Sequence, residues 1–249
     1  MLTSPAWRSD YGYYLSHYSA PHMKCDILAP HINGTFDFSI FVTMNAQFEF
    51  TFARRLKSFA WWGTFVGIAF FSVYPTTNWL TGLRSEHLEV YAEAELQIPF
   101  VAGFIWLYLS MYLLFVLPPF VLNPPELKRL GLELISATVI AGLVFLIFPA
   151  KLGFARVIPE QALYRELYAT LFSIDRPFNL LPSLHVVYSS TIALSIMRKS
   201  AAYSRGIILL WLMLIVSSTV LVHQHHLADV VTGLLLTALV SVYIGRKYA

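Results

Sequence analysis

The sequence predicts an all-α, polytopic membrane protein with six transmembrane helices, and three observations carry that prediction. Hydrophobic residues make up 57% of the 249 residues and charged residues only 12%, about half the charged share of an ordinary soluble domain. Mean hydropathy is +0.62. The apolar residues fall into long runs separated by short charged stretches, the pattern of segments that cross lipid. One cysteine, Cys25, excludes an intramolecular disulfide framework. A net charge of +3, with no basic tract interleaved with aromatics, gives no nucleic-acid surface.

Six spans follow in order. The first runs from Phe59 to Tyr74, after Arg54, Arg55 and Lys57. The second, Pro99 to Leu122, is rich in aromatics, and the third extends from Leu130 to Phe148. The fourth starts at Ser183 and ends before Arg198, the fifth covers Gly206 to Val222, and the last runs from Leu227 to Gly245. Residues 1–56 read as a cytoplasmic or interfacial segment with no signal peptide, and residues 57–249 as the membrane domain. Twelve of the 17 Lys and Arg residues fall on the side of the two termini. The positive-inside rule therefore makes both termini cytoplasmic and turns the loops after spans one, three and five outward, as in a multi-pass protein of a cell inner membrane. The loop between spans one and two, with Glu86, Glu89, Glu93 and Glu95, reads as solvated.

Four of the five remaining basic residues lie in one outward loop, between Lys151 and Arg176. Orientation does not call for them there. Ionisable groups at a membrane edge are costly and tend to be functional. Three polar clusters gather on this side: Lys151 to Arg156, Asp175 to His185, and His223 to Asp229. Pro182-Ser183 reads as a helix start with Ser183 as N-cap, and the first-turn amides behind it make an anion site. Lys151 and Arg156 supply full positive charges to the same anion. His225 and Asp229 are four apart, so on a helix they share a face. The carboxylate then fixes one ring nitrogen and leaves the other as base or nucleophile. His185, across the site, can protonate a leaving oxygen. Anion clamp, oriented nucleophile and acid together suit phosphoryl transfer.

These residues resemble the type 2 phosphatidic-acid phosphatase superfamily over about Pro99 to Gly245. Pro182-Ser183-Leu184-His185 is similar to its second signature, and Ser218-Thr219, five residues, then His225 and Asp229 to its third. Together with Asp175-x-Pro177-x-Asn179 and Gln224-His225-His226, the pattern resembles the branch of bacterial membrane phosphatases and inositol-phosphorylceramide-synthase-like transferases. The resemblance implies a phosphohistidine on His225 oriented by Asp229, with His185 as acid and Ser183 as phosphate ligand. It implies no metal and no other cofactor. The substrate would be a lipid phosphate drawn from the surrounding membrane lipids, with the site facing the periplasm or outside. Two departures stand out. The first signature is shortened to Lys151 and Arg156 with Val157 in place of proline, and Thr219 replaces the third-signature arginine. Arg165 or Arg176 would have to compensate.

Water as acceptor gives a lipid-phosphate phosphatase, and an alcohol acceptor gives a phosphotransferase. Two other classes compete: a membrane metalloenzyme using His185, His223, His225, His226 and Asp229, and a non-catalytic lipid-binding protein. Phosphoryl transfer through a neutral His225 and a protonated His185 predicts a bell-shaped pH profile.

Overall fold

The computed structural model describes residues 38–248, with side chains from residue 51 to residue 247. The reading of residues 1–37 as interfacial lies outside the described residues. The described chain is helical, with no named strand; its nearest approach to one is a single bridge between Leu88 and Ala150. Helix α1 (Phe38–Gly82) runs past the first expected span in both directions and carries Pro75 inside it. The second expected span is not one helix. It is broken into a 3-10 turn (Ala102–Phe104), α2 (Ile105–Leu109), α3 (Met111–Leu114) and α4 (Pro118–Val121). Pro118 and Pro119 lack the amide that would continue a helix. Ser110 bonds its hydroxyl back to the Leu107 carbonyl at 2.6 Å, which closes the turn between α2 and α3.

The remaining helices follow the expected order. Helix α5 (Pro124–Ile147) opens on a capping box between Asn123 and Glu126, with proline at its first position. Helix α6 (Ala162–Ile174) lies in the polar loop. Helix α7 (Leu184–Met197) starts at the Ser183 cap, and α8 (Ala202–Leu221) and α9 (Leu227–Tyr248) complete the bundle. Among the described residues, four stretches are long and apolar enough to cross a membrane: Thr51–Gly82, α5, α8 and Leu227–Lys247. Helix α7, with 14 residues, is only about 21 Å long, short of the roughly 30 Å hydrocarbon core.

Helix α7 is the centre of the bundle. Nearly all of it is buried between α5, α8 and α9, as expected of a helix with no polar face. Tyr188 and Thr138 join α7 to α5 through their hydroxyls at 2.6 Å. The outer faces of α1, α8 and α9 expose large apolar side chains such as Phe71, Leu210 and Leu235. A soluble protein could not tolerate so continuous a belt. Helix α1 is the least covered of the long helices. It meets α5 where glycines admit its side chains: Trp62 fills the notch at Gly131, and Val73 the notch at Gly142. Between and beside these contacts α1 stands off, and a gap of about 320 Å³ remains.

At the end where α4 gives way to α5, Glu133 is fully buried. Its Oε1 accepts from Arg129 Nε at 2.9 Å and lies 3.9 Å from Arg198, which follows α7. Arg129 and Arg198 both reach solvent, but Glu133 does not. Removing either charge therefore has unequal consequences. Arg129→Met should destabilise by about 3 kcal/mol, because a buried carboxylate loses its close partner. Glu133→Gln should cost only about 1 kcal/mol, because the arginines retain water. Unfolding in detergent, read as thermal midpoints, checks the order.

Candidate active site

The polar clusters converge where α7 and α9 begin and α5 and α8 end. Helix α8 stops at Val222, and His223 takes a left-handed backbone (φ 56°) that reverses the chain. The amides of Gln224 and His225 both return to the Thr219 carbonyl at 3.0 Å. That turn presents His225. Its Nδ1 lies 3.4 Å from Asp229 Oδ2, and the same oxygen accepts the His226 amide at 2.8 Å. The Asp229 carbonyl in turn accepts the Ser183 amide at 3.1 Å, tying the start of α7 to the start of α9. His225, Asp229 and Ser183 are thus brought together, all buried. A carboxylate on Nδ1 places the ring proton there and leaves Nε2 with its lone pair.

His225 lines a pocket of about 380 Å³ with Tyr74, Tyr108, Asp175, Arg176 and Asn179 among its other walls. Leu184, the first residue of α7, also lines it, so the start of that helix borders the cavity. Ser183 closes the cap by accepting the Val186 amide at 3.3 Å. His185 stands behind the wall: its ring lies on Tyr108 (centroids 3.9 Å apart, 22° between planes), and its Nε2 has no hydrogen-bond partner. Arg156 donates to the Phe172 carbonyl at 3.2 Å and lies over the Phe172 ring. Burial lowers its pKa, against the opposing pull of Asp175. Burial likewise raises the Asp175 carboxyl, while Tyr74, which donates to its Oδ1 at 2.6 Å, His225 and Arg156 act the other way.

Lys151 is placed apart from these groups. It stands on the exposed rim and pairs with Glu89 at 2.8 Å. The two arginines considered as substitutes for the Thr219 position separate clearly. Arg165 donates to the Glu160 carbonyl in the exposed loop, whereas Arg176 lines the pocket. Thr219 itself is buried and bonds back to the Val216 carbonyl.

The other two histidines are building material. Phe154 is sandwiched between the His223 ring (4.0 Å, 8°) and the His226 ring (4.4 Å, 12°), and Tyr91 stacks on His226 at 4.5 Å. His226 Nε2 accepts the Gly153 amide at 3.0 Å, and His223 Nε2 meets the Ile98 carbonyl at 2.9 Å. Burial lowers the pKa of both rings. Among the described residues no group of three or more His, Cys, Asp or Glu is arranged to hold a metal ion.

Sequence reasoning missed Glu95. It is not solvated: it is buried to 9% exposure. Its Oε2 accepts the Leu227 amide at the first turn of α9 (2.8 Å), and its Oε1 accepts the Ala92 amide (3.0 Å). Only the helix-start position of Leu227 hinted that an acceptor was required. It also missed Tyr74 and Asn78, whose pocket positions depend on α1 folding against residues a hundred positions away. Comparison with family models, with curated proteins and with solved structures gives no match.

Burial acts to raise the Glu95 pKa, but the Leu227 and Ala92 amides and His226 outweigh it and hold it below the ordinary carboxylate range. The sign follows. A depressed carboxyl contributes stability above its unfolded pKa and loses it as pH falls through the folded value. Glu95→Gln should destabilise by about 1–2 kcal/mol at neutral pH. That difference should shrink below about pH 4, read from thermal midpoints at several pH values. A difference constant with pH would show that the charge is not what holds the turn.

Proposed function

We propose that the chain is a membrane-embedded lipid-phosphate phosphatase that works through a phosphohistidine on His225. One observation carries the reading: an aspartate-oriented histidine lines a cavity that also receives an arginine and the start of a buried helix. In the proposed reaction His225 Nε2 attacks phosphorus in line, the P–O bond to the lipid breaks, and the leaving oxygen takes a proton. The resemblance gives the donor's role to His185, whose ring lies behind Tyr108 and not in the pocket, so Tyr108 has to turn aside for that transfer. Water then attacks the phosphohistidine, the N–P bond breaks, and phosphate leaves while His185 takes the proton back. Arg176 and Arg156, with the α7 amides, offset the charge on the phosphoryl oxygens. On this reading the chain crosses an inner membrane six times, with α7 and the broken Ala102–Val121 stretch as the two short crossings. The excess of Lys and Arg at the opposite end supports a pocket facing outward.

A second acceptor is supported by Asp175. A carboxylate in a phosphate pocket repels phosphoryl oxygens but accepts a hydrogen bond from an incoming hydroxyl. The same phosphohistidine would then pass its phosphoryl group to an alcohol, making the chain a phosphotransferase. Products made with and without an added alcohol distinguish the two, since free phosphate alone leaves hydrolysis.

Purified His225→Ala should lose about a thousandfold or more in turnover of lipid phosphates. Asp229→Asn should lose about a hundredfold, because the ring loses the group that sets its tautomer. Rapid quenching of the active protein should trap a phosphorylated chain that is stable to base and labile to acid. Full activity in His225→Ala would sink the reading.

A further inference from the structure

The gap left where α1 stands off from the bundle adjoins the polar pocket. Phe70 and Phe71 line both cavities. The gap continues down α1 from Phe71 to Phe59, walled on its other sides by α3, the start of α4, α5 and α7. That length of helix spans about 18 Å, a little over half of the roughly 30 Å hydrocarbon core. Its lining is apolar throughout, including Val66, Met111, Leu127, Leu134 and Ile192. Of its two tyrosines, Tyr188 already has its hydroxyl engaged by Thr138. The flank toward α1 is open, with Phe71 and Tyr112 well exposed, so a chain can enter sideways from lipid.

We propose that this groove holds one hydrocarbon chain of the phosphate lipid whose head occupies the polar pocket, and that Gly63 and Gly67 set its capacity. The proposal rests on the phosphatase reading for the head and on the wall that the two cavities share, Phe70 and Phe71, for the tail. A polar cavity beside an apolar one of single-leaflet length suits an amphiphile. Both glycines line the groove, and a Cβ at either meets no atom within 4 Å. Their missing side chains are therefore groove volume and not helix-packing contacts. Gly131, by contrast, is filled by Trp62.

Gly67→Leu and Gly63→Leu are the test, with Leu235→Phe on the lipid-facing side of α9 as a control for added bulk. The readout is the ratio of turnover on hexadecyl phosphate to turnover on hexyl phosphate. The ratio should fall about tenfold in the glycine variants, the discrimination typical of a few misplaced methylenes, and stay level in the control. A second readout needs no turnover: hexadecyl phosphate with a terminal diazirine should label the Phe59–Val66 stretch of α1, and Gly67→Leu should abolish that label. Turnover with an unchanged ratio, or labelling spread equally over α8 and α9, overturns the groove and leaves the phosphatase reading standing. Selective labelling of α1 in a chain that turns over no phosphate ester supports the groove and overturns the phosphatase reading.

Discussion

Asp229 holds the site together because its atoms serve three parts of the chain at once. Its Oδ2 takes the His226 amide and faces His225 Nδ1, while its carbonyl takes the Ser183 amide. Its side chain ties the histidine turn to the first turn of α9, and its backbone ties that turn to the start of α7. A buried carboxylate is costly unless its acceptor capacity is used, and here that requirement aligns two helix starts with a candidate nucleophile. The rest of the pocket is arranged around this junction: Leu184 on one side, the Arg176 loop on the other, and α1 closing the front.

The membrane supplies the second constraint. With lipid on the outside, burial of apolar surface does not drive the helices together, and packing has to. Helix α1 touches α5 through side chains seated at two glycines and is otherwise loosely applied. Helix α7 is enclosed and short. The bundle is therefore firm around the histidine turn and open along α1. That gradient suits the proposed reaction, in which phosphoryl chemistry would be held rigid while a lipid arrives and leaves.

Much of the fold was legible because lipid demands long apolar runs. Helices α5, α8 and α9 lie where hydropathy placed them, and the Ser183 cap follows from local rules; His225 faces Asp229, but from the turn before α9 and not from the shared helix that a four-residue spacing suggests. Legibility failed where long-range packing decides. The stretch from Pro99 to Leu122 has the composition of a span, but Ser110 and the Pro118-Pro119 pair break it into turns. Glu95 looks solvated in sequence because its partner, the Leu227 amide, lies far along the chain. Lys151 looked like a phosphate ligand by its neighbours in sequence, yet Glu89 stands within 2.8 Å of it. Asp175 and Tyr74 meet across 101 positions, a separation no motif encodes.

The stack of His223, Phe154, His226 and Tyr91 bears on how charge behaves at this turn. Three of four successive residues there are histidines, a composition that suggests a shared reservoir of protons. The stack removes two of them from that role: their rings are wedged face to face against aromatics, and burial disfavours their charged forms. On the proposed phosphohistidine reading, positive charge created at His225 would stay on a single imidazole beside Asp229 instead of being diluted among neighbours. The apparent surplus of histidine thus serves as aromatic packing around His225.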